Sequence, residues 1–191
     1  MFLMFFYKGY NTDWYGIFKP IEKLVKKQGL LLENKYALVL GAGATAETAI
    51  YTLKQFGLIP IVYNRTYENA VKLVARHPGL IVVKDLKEIF DKSADLAIIL
   101  STTPGDADLG LPDELFKHNP ICFDVSITPK YTAFLKKAEK NGCKNIVYGI
   151  EMLIYQGYMQ HDIFTGKPCP RKVYKAAALN YYENLLKHVS K

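Results

Sequence analysis

The chain has 191 residues, half of them hydrophobic, and a formal net charge of +7. That length can bury a core of its own, which excludes a disordered tail or a disulfide-stapled miniature. The positive balance asks for an anionic partner without choosing among a phosphate cofactor, an acidic metabolite and nucleic acid.

The first seven residues are strongly apolar but too few to span a membrane, and they lack a basic leader and a cleavage site. They read as a strand or connector that packs on something preceding it. A helix is expected over 14–28, kinked or restarted at Pro20. From residue 36 onward, apolar runs alternate with helical patterns. The strands fall at 36–40, 59–63, 80–83, 96–100, 121–125 and 145–147, and the helices at 45–56, 67–76, 86–91, 112–117 and 131–141. Such alternation implies right-handed crossovers and an α/β fold, a Rossmann-like doubly wound, mostly parallel sheet flanked by helices. Two longer helices, 150–164 and 172–189, close the chain on either side of a Gly166, Pro168 and Pro170 loop. The second carries an apolar stripe of Leu179, Tyr182, Leu186 and Val189. Cys122, Cys143 and Cys169 are odd in number and outside C-x-x-C spacing. They argue against a disulfide framework or a zinc site and for a reducing compartment, the cytoplasm. The lysines at 23, 26, 27, 136, 137, 140, 172, 175 and 187 read as solvated helix faces. No nucleic-acid motif accompanies them, so neither nucleic acid nor a membrane is expected as a partner.

The first strand ends in Gly41-Ala42-Gly43-Ala44-Thr45-Ala46, a G-x-G-x-x-A turn between a strand and a helix. Its first glycine permits the tight turn, its second lets the backbone approach a pyrophosphate, and its small third residue lets the helix pack on the strand. A pyrophosphate there meets the unpaired N–H groups at the positive end of the helix dipole. The second strand ends about twenty residues later in Asn64-Arg65-Thr66, where an NAD site usually carries Asp or Glu. A guanidinium matches a 2′-phosphate by charge and by its fork of donors, so Arg65 favours NADP over NAD, its alternative being a solvated loop residue. Thr102 and Thr103 follow a buried strand at the end where open α/β sheets bind ligands, or form an ordinary strand-to-helix turn.

Six segments, in order, resemble the shikimate/quinate dehydrogenase family. Gly9-Tyr10-Asn11-Thr12-Asp13-Trp14-Tyr15-Gly16 resembles G-x-N-T-D-x-x-G, Gly41 to Ala46 the phosphate loop, and Asn64-Arg65-Thr66 the NADP-selecting motif. Ser101-Thr102-Thr103-Pro104 falls at the family's loop beside the nicotinamide. Asp124, Pro129 and Thr132 resemble D-x-x-Y-x-P-x-x-T, and Gly149 through Gln156 resembles G-x-x-M-L-x-x-Q. The wording is similar to the fungal-type domain that ends the pentafunctional arom polypeptide. The resemblance implies NADP-linked interconversion of shikimate (or quinate) and its 3-dehydro product in aromatic amino acid biosynthesis. It implies Asp13 as a catalytic group, Asn11 and Gln156 as substrate contacts, and Gly41–Ala46, Asn64–Thr66, Thr102, Thr103 and Gly149 as the cofactor site.

Departures from the pattern bear on activity. The family's lysine motif N-V-T-x-P-x-K and its substrate-anchoring serines belong to an N-terminal domain of roughly a hundred residues, which does not occur in this sequence. Ile127 stands where the motif has tyrosine, and Asn69 where a basic residue often follows N-R-T. The expectation is a cofactor-binding half whose turnover needs the missing domain, the alternative being a non-catalytic NADP(H)- or metabolite-binding regulatory module. Three parts are expected: a connector with the N-T-D segment (1–29), the NADP-binding domain (30–148), and C-terminal helices packing toward the missing domain (149–191). Asp13 is equally suited to cap a helix, Asn11 to form a turn, and Gln156 and Gln160 to bond backbone carbonyls.

Overall fold

The computed structural model describes residues 8–189. The strand or connector expected over the first seven residues, and the side chain of Val189, lie outside the described residues. Six parallel strands form one sheet: β1 (Tyr36–Leu40), β2 (Ile59–Tyr63), β3 (Ile81–Val83), β4 (Leu96–Ser101), β5 (Ile121–Asp124) and β6 (Ile146–Val147), in the order β3-β2-β1-β4-β5-β6. The chain builds outward from β1 to β3, then returns to lay β4 on β1's other edge. That reversal opens a crevice beyond the C-terminal ends of β1 and β4, where doubly wound sheets hold ligands.

The strands are apolar on both faces because helices cover both. In β1, Ala37 and Val39 join one core layer, while Leu38 and Leu40 join the other. The first layer is closed by α1 (Asp13–Gln28) through Ile17 and Ile21, and by α2 (Ala44–Lys54) through Ala46, Ile50 and Leu53. The short α3 (Tyr67–Val74) adds Ala70 and Leu73 to that layer. The second layer takes Phe134, Leu135 and Ala138 from α4 (Ala133–Lys140). Two further helices, α5 (Gly149–Thr165) and α6 (Arg171–Val189), share a smaller cluster around Ile150, Ile154, Tyr158 and Tyr182.

Three expectations are corrected. Helix α1 runs without interruption through Pro20, which is buried, so the chain is not restarted there. Residues 86–91 and 112–117 are not α-helices but parts of 3-10 segments, Leu86–Asp95 and Asp113–Phe116. The reason for the first is reach. Val83 lies level with the end of β4, and the chain must return to the start of β4 past β2 and β1, a span of about 22 Å from strand rise and strand spacing. Ten residues cover about 20 Å as a 3-10 helix, but only about 15 Å as an α-helix. Cys122, Cys143 and Cys169 are buried, and Cys122 and Cys143 are neighbours in space. The neighbouring Cys143 thiol, with burial, holds the Cys122 thiol far above its ordinary range, while the two thiols donate to the Pro120 and Phe116 carbonyls at 3.6 and 3.7 Å.

Helix α1 crosses α5 at close range. A Cβ on Gly16 would lie 2.6 Å from the Met152 carbonyl, so only glycine fits. This contact brings the residues just before α1 against the middle of α5.

Candidate functional site

The phosphate-loop geometry begins at the end of β1. Gly41 has φ +112°, its N–H donates to the Tyr63 carbonyl at 2.9 Å, and a Cβ there would strike Thr102 Oγ1. Thr102 donates to the Leu40 carbonyl twice, from its N–H at 2.8 Å and from Oγ1 at 2.9 Å. Its hydroxyl therefore joins the ends of β1 and β4 instead of facing the crevice. Gly43 caps α2 in an extended conformation, and the space a Cβ would take is open. The first N–H groups of α2, which have no intrahelical acceptor, start there. Ala46 is fully buried and lets α2 lie close on the sheet, while Ala42 and Thr45 are half-buried and Ala44 is exposed.

Across the crevice, Asn64 Nδ2 donates to the Thr66 carbonyl at 2.8 Å and shapes the turn that presents Arg65 to solvent. Thr66 is the N-cap residue of α3. A cavity of about 250 Å³ is lined by Gly41, Asn64, Arg65, Thr103 and the loop after β4. Thr103 Oγ1 is tied to Ser101 Oγ at 3.0 Å. Gly149 does not line this cavity. It opens α5 against the Val125–Ser126 backbone, where a Cβ would strike the Ser126 carbonyl. Behind the loop, Glu47 is engaged by Arg76 Nη2 at 2.5 Å and lies 3.6 Å from His77 Nε2. The sequence offered no signal for this pairing.

A second polar cluster forms where α1 meets α5. Asn11 Oδ1 accepts the Asp13 N–H at 2.9 Å, and Asn11 Nδ2 donates to Thr48 Oγ1 at 3.2 Å. Gln160 Nε2 donates to Thr12 Oγ1 at 3.1 Å and to Gln156 Oε1 at 3.4 Å, and Thr12 Oγ1 donates to Gln156 Oε1 at 3.4 Å. Asp13 is the first residue of α1 and not its cap. The N-cap is Thr12, whose side chain bonds α5 instead. Among the described residues nothing donates to the Asp13 carboxylate and no lysine pairs with it. Asn11 also borders a cavity of about 390 Å³ with Trp14, Glu47, Thr48 and Tyr51. Thr12 and Thr48 were not singled out in the sequence, although both stand beside residues that were.

The remaining motif positions serve their own loops. Asp124 is buried at the end of β5 and accepts the Ser126 N–H at 2.9 Å. Burial pushes its carboxyl above the ordinary range. Burial does the same for Glu151 in the first turn of α5, opposed by Lys23 and Lys175. Ile127 turns into an apolar groove with Ile150, Leu153, Tyr174 and Tyr182, and its carbonyl accepts the Tyr182 hydroxyl at 2.6 Å. Among the described residues no helix is long and apolar enough to cross a membrane, and no cluster of His, Cys, Asp or Glu suits a metal ion.

Two family models match this chain. That for shikimate / quinate 5-dehydrogenase covers residues 23–115, and that for the shikimate 5′-dehydrogenase C-terminal domain covers residues 149–179. The chain belongs to the shikimate/quinate dehydrogenase family. Among curated relatives of this dehydrogenase family, the shikimate dehydrogenase (NADP(+)) of Aquifex aeolicus is 37% identical over 171 residues. The match takes in 86% of this chain and 59% of the relative. The pentafunctional AROM polypeptide of Malassezia globosa is 33% identical over 85% of this chain and 11% of its own length. Among solved structures, shikimate 5-dehydrogenase from Thermus thermophilus in complex with NADP(H) and shikimate superimposes with a TM-score of 0.69. It is 29% identical, over 90% of this chain and 63% of that one. The chain therefore spans less than two thirds of the relatives it matches.

Proposed function

We propose that this chain is the cofactor-binding part of an NADP-dependent shikimate dehydrogenase, interconverting shikimate (or quinate) and its 3-dehydro product. The observation that carries the reading is the cavity at the switch point, where Arg65, and no carboxylate of β2, stands beside Gly41 and Thr103. The residues present fit the dinucleotide. Gly43 leaves its Cβ space open before the free N–H groups of α2, and Arg65 supplies the fork for a 2′-phosphate. The bound nicotinamide supplies or accepts the hydride.

The protein's part is to orient the substrate ring and to move the proton of its hydroxyl. Asp13 is suited to hold that proton, because its carboxylate has no competing donor among the described residues. Gln156 accepts from Thr12 and Gln160 through Oε1, which leaves Nε2 for a ring hydroxyl. Asn11 locks the turn that aims Asp13. Turnover of shikimate calls in addition for the family's lysine and its carboxylate-anchoring hydroxyls, from a substrate domain. In this reading residues 30–148 form the cofactor domain and residues 149–191 pack toward that substrate domain.

Calorimetric titration of this chain with NADP and NAD tests the cofactor reading. Micromolar binding of NADP, tighter than of NAD, is expected, and equal or absent binding overturns it. Adding a separately made substrate domain of the family should restore NADP-dependent oxidation of shikimate, and Asp13→Asn should abolish it.

A second reading, a non-catalytic module that senses NADP(H) or a pathway metabolite, is favoured by Ile127. It offers a substrate no hydroxyl, and its carbonyl is held by Tyr182. Dinucleotide binding with no rescue by the added domain would select it.

A further inference from the structure

Arg65 is not the only charge on the cavity at the end of β2. Asp108, in the loop that follows β4, lines the same space of about 250 Å³. Its Oδ1 accepts the Gly110 N–H at 3.0 Å, which holds the carboxylate in a tight turn. Among the described residues neither Arg65 nor Asp108 takes part in an ion pair, so the two charges do not cancel by contact.

A cavity lined by one cation and one anion reads an adenosine ribose in two opposed ways. A 2′-phosphate is drawn to Arg65 and repelled by Asp108. A free 2′-hydroxyl gains little from Arg65 and donates readily to a carboxylate. In NAD sites that carboxylate usually ends the second strand. Here that position is occupied by Asn64, whose amide is spent on the Thr66 carbonyl. We infer that Asp108 is a specificity-determining residue, which lowers the preference for 2′-phosphorylated over 2′-hydroxylated dinucleotides. The inference rests on the dinucleotide reading above and adds to it. Arg65 sets the direction of the preference, and Asp108 limits its size.

The test is calorimetric titration of the full chain, Asp108→Asn and Asp106→Asn with NADP and with NAD, at low and high salt. Asp106 is exposed on the same loop but does not line the cavity, so its variant controls for net charge alone. Asp108→Asn should tighten NADP roughly three- to tenfold and leave NAD unchanged or weaker, the scale of one like charge removed near a solvated site. The gain should shrink with added salt, because exposed charges are screened. Asp106→Asn should change NADP binding less than twofold. Equal changes for both dinucleotides, no change, or equal gains from both variants overturn the role of Asp108 and leave the cofactor reading standing. Failure of the unaltered chain to bind either dinucleotide overturns the cofactor reading, and the role of Asp108 with it.

Discussion

The crevice beyond β1 and β4 and the cluster between α1 and α5 are both polar, but they are finished to different degrees. In the crevice, Thr102, Asn64 and Thr103 each close a bond within the protein, and what stays unpaired among the described residues is the N-terminus of α2 and the Arg65 guanidinium. In the cluster, Asn11 is fixed, but Gln156, Gln160 and Thr12 share contacts of 3.1–3.4 Å, and the Asp13 carboxylate has no donor among the described residues. A site whose supporting bonds are complete is preorganised for its ligand. One whose polar groups mainly bond each other still has groups to exchange when a ligand arrives.

The comparison can be broken at several points. The largest effect is expected from Gly41→Ala, which combines a left-handed φ of +112° with a collision at Thr102. A loss of about 2–4 kcal/mol in urea unfolding is expected, with NADP binding abolished. An unchanged titration would show that the crevice is not preorganised. Next comes Arg65→Gln, which should weaken NADP about ten- to a hundredfold in titration, the worth of a charge-assisted bond, while NAD changes little. Thr102→Val removes one donor from the Leu40 carbonyl but leaves the N–H bond, and should cost about 1 kcal/mol of stability. In the other region, Gln160→Ala should cost less than that in the same assay, because its contacts are long and exposed or only part-buried. The smallest effect is a pH dependence. Burial raises the Glu151 carboxyl, so folding favours its neutral form, and the stability this gives is lost as pH rises through the raised value. Glu151→Gln should thus match the parent at low pH and melt slightly higher at neutral pH. A lower melting point there would mean that Lys23 and Lys175 outweigh burial.

Much of the crevice was legible because its signals are local. Strand β1 is an unbroken apolar run, the glycine turn follows at once, and Asn64-Arg65 ends β2, so spacing alone located the walls. The strand boundaries held to within one residue for the same reason, since doubly buried parallel strands carry no polar interruption. The cluster was legible only in part. Thr12 and Gln160 are 148 positions apart, and Asn11 and Thr48 are 37 apart, so no periodicity links them. The segment Leu86–Asp95 opens on a capping box, Asp85 with Glu88, as α-helices do, so nothing local marks it as a 3-10 helix. The span to be covered, known only once the sheet is assembled, decided otherwise. Asp108 escaped notice because a carboxylate was sought at the end of β2, and the loop that brings another to the same cavity leaves β4.

The meeting of Gly41 with Thr102 also bears on how these two positions can vary. A selection that randomised both should return glycine at 41 whatever stands at 102, since the left-handed φ alone disfavours every other side chain. Position 102 should accept serine, and alanine at a small cost, but exclude longer side chains. The two positions are thus unequal partners, one closed to substitution by its backbone and the other limited by the room its neighbour leaves.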